Sequence, residues 1–351
     1  MALFTTFITT PLVTSIYKPA RKAVPYKHIK IQREKPEDEL RILVCLHVTR
    51  NILTILNLIE ASRGIRNSSL RLYIMHLVEL TERSSAIMMV HKARENGLPF
   101  WNRNRNRPQQ DQIVVAFEAY RQLSRVIVKP MTAISPVQNM HEDICNVAHQ
   151  KQIAMIILPF HKYQRVDGVL ESLNMGFETV NQAVLEHAPC SVGILVDRGQ
   201  PGGQSQLAPS NVDHHVAVLF FGGPDDREAL VFGRRMAEHP GIKLTVIRFL
   251  PSAEFEHTLL PAHENKIHKF PNAEMSRERE KGLDEEALQV VHNSVSNIPR
   301  KYHSEQGAGG GDNVDELIVY EERQMNPNTA ESVLAIAFLI YIFINYFNII
   351  F

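Results

Sequence analysis

Apolar and polar positions fall along this chain in blocks that read as strands and helices taken in turn. Residues 41–47 (RILVCLH) form a nearly unbroken apolar run, the mark of a strand buried on both faces. A helix follows over about residues 50–62, with Ile52, Ile55, Leu56 and Ile59 on one face and Thr49 in position to cap it. Residues 70–80 (LRLYIMHLVEL) predict a second strand, 113–123 a helix and 126–130 a third strand. Residues 140–151 predict a helix whose first turn carries Glu142 and Asp143, acids suited to a helix N-terminus. Residues 153–159 (IAMIILP) predict a fourth strand, 177–187 a helix and 190–197 (CSVGILVD) a fifth strand. Strands separated by helices demand right-handed crossovers, and so a parallel, doubly wound α/β sheet over residues 40–198.

Residues 199–212, which include GQPGGQSQLAPSN, are a linker by composition. The pattern then restarts. Residues 215–221 (HVAVLFF) predict a strand, and Gly222-Gly223-Pro224-Asp225 turns into a helix through about Glu238. Residues 243–249 (KLTVIRF) predict the next strand, 251–282 a polar loop, 285–296 a helix, 317–321 a third strand and 327–335 the start of another helix. The restart reads as an approximate internal duplication. The second copy, residues 213–335, stops after three strands.

Both termini are apolar. Residues 1–17 carry no charge and are followed by Lys18, Arg21, Lys22, Lys27 and Lys30. A secretory signal places its positive charges before the apolar run, so this is not one. Seventeen residues of helix reach about 25 Å, a marginal span. Residues 1–18 read instead as the end of a membrane helix leaving into basic residues, and the positive-inside rule then puts the rest in the cytosol. Residues 19–39 are a connector, basic and then acidic, with Pro19, Pro25 and Pro36. At the other end, residues 332–351 (SVLAIAFLIYIFINYFNIIF) run without a charge. By length they are a spanning candidate, and their Ile, Phe and Tyr content equally suits a buried or association-prone strand. Residues 336–351 are set apart as an atypical apolar tail.

Composition narrows the function classes. The 351 residues suggest two domains. Hydrophobic residues at 44% and charged residues at 22% are enough to bury a core. Lys+Arg and Asp+Glu are both 38, which argues against bulk electrostatic binding of nucleic acid. Three cysteines, Cys45, Cys145 and Cys190, are no disulfide framework. They read as small buried hydrophobes in a reducing compartment.

Several long segments carry a resemblance. ELRILVCLHVTRN (39–51), LRLYIMHLVELTERSSAIMMVHKAR (70–94), FEAYRQL (117–123), MTAISP (131–136), MHEDIC (140–145), MIILPFHK (155–162), VNQAVLEHAPCSVGILVDRG (180–199) and the run from VAVLFFGGPDD to KLTVIRF (216–249) closely resemble the cytosolic C-terminal region of plant cation/proton exchangers, in the monovalent cation:proton antiporter superfamily. The first 19 residues resemble the end of that family's last transmembrane helix. The resemblance implies exchange of potassium or another monovalent cation for protons, potassium and pH homeostasis, and a plasma-membrane or endomembrane location with most of this chain facing the cytosol. It implies a tail of two tandem universal-stress-protein-like domains, the second incomplete, with spatial strand order 3-2-1-4-5. It implies the membrane-embedded exchanger region as partner and leaves room for a homodimer. The family's ion path lies in an upstream helix bundle with intramembrane carboxylates, and residues 1–17 offer none. This chain is therefore expected to be a regulatory region, unable to transport alone, and a truncated product. A soluble stress-type nucleotide-binding module is the alternative.

Candidate contacts follow from the fold. Ligands of open parallel sheets bind beyond the carboxyl ends of the strands. His47 follows the first strand, while His161, Lys162 and Arg165 follow the fourth and are placed to meet a phosphate. Pro159 and Phe160 stand where stress proteins that hold ATP carry a glycine-rich loop, and proline removes an N–H. Gly222 and Gly223 look like a phosphate turn, but Asp225 and Asp226 sit where an anion would dock, so a carboxylate cap is the stronger reading. Arg103, Arg105 and Arg107, beside Trp101, are candidate contacts to anionic lipid headgroups or, more simply, a solvated loop. His141 and Cys145 lie four apart on a helix and His214 and His215 are adjacent, yet metal sites need three or four converging ligands. Neither a metal, a cofactor nor a catalytic motif is expected. The 16 histidines are candidate pH sensors.

Overall fold

The computed structural model describes residues 28–33, 39–47, 51–63, 70–80, 108–124, 126–164, 170–172, 175–197, 214–239, 241–251, 271–296, 318–325, 342–344 and 347–350. The apolar segment 1–18, the linker 199–212, the arginine run 103–107, Arg165, Thr49 and the helix expected over 327–335 lie outside the described residues. In chain order the elements are β1 (Leu40–Leu46), α1 (Ile52–Ala61), β2 (Leu70–Glu79), α2 (Pro108–Leu123), β3 (Ile127–Ser135), α3 (Met140–Lys151), β4 (Met155–Pro159), β5 (Lys162–Gln164), β6 (Leu170–Ser172), α4 (Met175–His187) and β7 (Ser191–Asp197). They continue as β8 (His214–Phe220), α5 (Pro224–Met236), β9 (Ile242–Pro251), α6 (Pro271–Ser296), β10 (Ile318–Met325), β11 (Ile342–Ile344) and β12 (Phe347–Ile350). Two single 3₁₀ turns, Ile31–Arg33 and Val137–Asn139, complete the set.

Ten of the strands form one sheet, in the order β10-β9-β8-β11-β12-β7-β4-β1-β2-β3. The last five places are the doubly wound order 3-2-1-4-5, all parallel. β1 lies centrally and is buried on both faces. Ile42, Val44 and Leu46 join a core that α1, α2, α5 and α6 cover. Leu43 and Cys45 join a second core lined by α3 and α4. A strand covered on both faces needs a continuous apolar run, and that is why residues 41–47 announce themselves in the sequence. Strands β8, β9 and β10 repeat the parallel arrangement, with α5 and α6 packed on one face.

Some elements depart from the expectations. β3 continues past Pro130 to Ser135. It is the outermost strand, so the missing proline N–H leaves no ladder bond unmade on the solvent side. α2 opens five residues early, at Pro108, where proline's fixed φ suits the first helical turn. The stretch 251–282 is not all loop: α6 begins at Pro271. Its first half has almost no apolar face, and of its described side chains Asp284, Leu288 and Val291 are the buried ones. Asn51, not Thr49, stands at the N-terminus of α1 and makes no side-chain cap bond. The short hairpin β5–β6 went unforeseen.

The tail does not hang free. β11 pairs antiparallel with β8 (Ile342 with Val218, Phe343 with Ala217), β12 pairs antiparallel with β11, and β12 pairs antiparallel with β7 from Asp197 to Ile194. A second copy that stops after three strands leaves one edge of β8, its first strand, without the neighbour the order 3-2-1-4-5 provides; β11 covers that edge, and the hairpin joins the two parallel sets into one sheet.

Candidate functional site

The strand order reverses between β1 and β4, and the residues beyond their carboxyl ends are His47 and Phe160–His161. His47 stacks on Phe177 of α4 at 3.9 Å between ring centroids, tilted by only 7°. Phe177, Glu178 and Asn181 share one turn of α4. Asn181 donates from Nδ2 to Pro159 O at 3.0 Å, which ties α4 to the end of β4. The His161 ring lies 4.4 Å from that of Phe160, and its Nε2 is 3.6 Å from Glu178 Oε2. Among the described residues, four polar atoms here are buried without a hydrogen-bond partner: both ring nitrogens of His47, Nε2 of His161 and Oδ1 of Asn181. Among the expected contacts, then, the fold brings His47 and His161 to one edge. It sends Lys162 away, exposed in the β5–β6 hairpin.

Burial sets the chemistry of this edge. It pushes the His47 imidazole down to about 4, with His76 on the neighbouring strand adding to the effect. Desolvation also lowers His76 and His161, and for His161 the nearby Glu178 works the other way. Each of these shifts favours the neutral imidazole. The N–H of Phe160, the residue after β4, donates to Leu195 O at 2.9 Å and is spent on the sheet. Where a phosphate loop would present free N–H groups, this chain presents a proline, a consumed N–H and uncharged rings.

A pH dependence follows. A histidine whose folded pKa is lowered favours its neutral form in the fold, so its effect on stability is nil above about 6.5. As pH falls from there to about 4 the unfolded chain takes up the proton first and stability is lost, by about 3 kcal/mol in all. His47→Leu is expected to flatten this part of the acid limb in urea unfolding measured between those pH values. An unchanged limb would remove His47 as its source.

The glycine turn after β8 is the second place the sequence singled out. Gly222 and Gly223 take φ of 115° and 109°, a region glycine adopts without strain. Their N–H groups are already engaged. Asp226 Oδ2 accepts from Phe221 N at 2.7 Å and Gly222 N at 2.8 Å, and Asp284 of α6 accepts from Gly223 N at 3.1 Å. A Cβ on Gly222 would lie 2.9 Å from Asp284 Oδ2. Arg227, 6% exposed, pairs with Asp284 and reaches Glu280 Oε2 at 2.6 Å. Two of the chain's own carboxylates therefore fill the position an anion would take. Desolvation, offset in part by the two N–H donors, raises Asp226 to about 6.

The remaining candidates stay apart. His141 and His187 approach to 5.8 Å between centroids, and His215 Nε2 meets Thr245 Oγ1 at 2.8 Å. Among the described residues no group of three or more His, Cys, Asp or Glu side chains is placed to hold a metal ion. The three cysteines are free thiols, and burial raises each of them, Cys145 to about 11.

Known proteins decide the family. The model for the plant cation/H(+) antiporter domain matches residues 72–200, and that for the plant cation/H(+) antiporter C-terminal domain matches residues 213–326. The chain belongs to the plant cation/H(+) antiporter family. Cation/H(+) antiporter 19 of Arabidopsis thaliana is 56% identical over 296 residues, which is 84% of this chain and 35% of that protein. Cation/H(+) antiporter 18 of the same plant is 50% identical over 329 residues, 93% of this chain and 38% of that protein. The chain thus spans between a third and two-fifths of the length of these antiporter relatives. A universal stress protein from Archaeoglobus fulgidus is similar at 12% identity and a TM-score of 0.39, over 84% of each chain. Among the described residues of this antiporter-family chain, no helix is long and apolar enough to cross a membrane.

Proposed function

We propose that this chain is the cytosolic regulatory region of a monovalent cation/proton antiporter that exchanges potassium for protons and serves potassium and pH homeostasis. The observation that carries the reading is the 56% identity to an antiporter of which the chain spans only 35%. Ion passage belongs, on this reading, to the rest of the family protein, and the chain acts on it from the cytosolic side of a plasma membrane or endomembrane. Its residues 40–198 and 213–335 act as two successive modules, and no catalytic residue is assigned to either. The consumed N–H of Phe160 and the two carboxylates at Gly222–Gly223 favour this regulatory reading over nucleotide binding.

The test is growth of cells that lack potassium/proton exchange, scored across external potassium and pH. The chain expressed alone is expected to give no rescue. Joined to the preceding region of a relative, it is expected to restore growth with a pH profile that substitutions in the chain can shift. Full rescue by the chain alone would overturn the reading.

A further inference from the structure

Three stretches far apart in sequence converge on one carboxylate. The connector enters alongside the lead into β7: Ile29 bridges Cys190, and its N–H donates to Pro189 O at 2.9 Å. The 3₁₀ turn Ile31–Arg33 then drives Ile31 into the core, 4% exposed. The Ile31 N–H donates to Glu228 Oε2 of α5 at 2.9 Å, across 197 positions of sequence. Ser191 Oγ, at the start of β7, donates to the same oxygen at 2.8 Å. Gln32 Nε2 donates to Pro224 O, at the start of α5, at 3.0 Å. Glu228 is 4% exposed, and its other oxygen, Oε1, is buried and accepts no hydrogen bond from the described residues.

That asymmetry has a chemical meaning. A buried carboxylate oxygen with no donor is costly, whereas a protonated acid leaves only an O–H there. With the proton on Oε1, Oε2 remains the acceptor for both Ile31 and Ser191. We propose that Glu228 is a proton-binding latch: it holds the connector across the seam between β7 and α5 most firmly when Oε1 carries a proton, and the hold weakens as the carboxylate forms.

The surroundings agree in sign. Burial, the largest effect, raises the Glu228 carboxyl above its ordinary value, against the opposing pull of Ser191, of the Ile31 and Gln32 amides and of the Lys30 ammonium. Lys30 faces Glu228 from the connector, and the Cys190 thiol faces it from the lead into β7. Glu280 of α6 also interacts with Lys30 and so draws on that positive charge. On α5 itself, Asp226 and Arg227 are turned to Phe221–Gly222 and to Asp284–Glu280, and Asp225 acts on His28. A released, solvated glutamate titrates near 4.5. Because the latched carboxyl titrates higher, the latched state binds more protons between the two values. The hold therefore falls as pH rises through that window and is level above it.

The experiment is hydrogen exchange at the Ile31 amide in the full chain, kept in mild detergent, from pH 4.5 to 7.5 and corrected for intrinsic rates. Protection is expected to rise on acidification, by up to about tenfold per pH unit inside the window, the limit for one linked proton. Glu228→Gln keeps an oxygen acceptor without a charge, so it is expected to stay protected and to lose the pH dependence. Ser191→Ala removes a donor that favours the charged form and is expected to move the transition to higher pH, which keeps the test open should a Glu228 variant fail to fold. Wild-type protection that is independent of pH would overturn the latch, as would a Gln variant that keeps the wild-type pH response.

Discussion

Arg227→Met is expected to cost about 3–5 kcal/mol of folding stability, among the largest losses for a single substitution outside the apolar core. Arg227 and Asp284 keep side-chain exposures of only 7% and 12%, and they tie α5 to α6 over the glycine turn. Removing the guanidinium leaves Asp284 as an uncompensated charge in a site whose one other donor among the described residues is the Gly223 N–H. Glu280, 49% exposed, turns to solvent at little cost. The double variant Arg227→Met with Asp284→Leu replaces both charges by apolar groups and is expected to regain much of the loss, because a buried ion pair is worth little over a well-packed apolar pair. Urea unfolding followed by circular dichroism measures both. A loss below about 1 kcal/mol for the single variant would mean that Asp284 reaches water or another donor.

The elements legible in the sequence were those whose burial leaves a mark on neighbouring residues. β1 and β4 are flanked by strands and covered on both faces, so their side chains are apolar without interruption, and both were found to within two residues. The described side chains of the first half of α6 are exposed, so its Arg, Glu and Lys run reads as a loop. β3 was cut short at a proline whose cost vanishes once the strand is known to be an edge, a fact of topology rather than of composition.

The sites divide the same way. That His47 and His161 share an edge follows from strand order, which the resemblance supplied. The partners of this edge on α4, Phe177 stacked on His47 and Asn181 bonded to Pro159 O, lie on a helix whose facing could not be fixed from one sequence. The acids after Gly222–Gly223 suggest a helix cap, but Gly223 stands at the N-cap with no side-chain bond, and Asp226 instead accepts from the Phe221 and Gly222 N–H groups of the turn before the helix. Asp284 could not be anticipated, because it arrives from a helix 61 positions away. Glu228 was the least legible residue of all. In Asp225-Asp226-Arg227-Glu228 it looks like one more surface charge on a helix opening, yet the connector, from the far end of the chain, and Ser191 of β7 both donate to its buried carboxyl.

The chain ended at residue 335 is expected to self-associate and to lose about 3–6 kcal/mol of stability. The hairpin β11–β12 meets β8 at two positions and β7 at four, and backbone hydrogen bonds contribute about 1 kcal/mol each in net terms. Its removal does more than delete those bonds. β8 carries Val216, Val218 and Phe220 in the core, and its freed edge lies beside the most apolar part of its set. β7 loses a partner at the same time, so two unpaired edges face each other where one sheet ran through. Unpaired edges of this kind are templates for other chains. Size-exclusion chromatography with light scattering, in matched detergent, compares the 1–335 and 1–351 chains, and thermal unfolding gives the second readout. The ties through Glu228, Ser191 and Ile31 survive the deletion, so the two parts of the sheet are expected to stay joined and the new edges to remain exposed. A 1–335 chain that stays monomeric and unfolds at the same temperature as the 1–351 chain would show that the hairpin contributes nothing to closing the sheet.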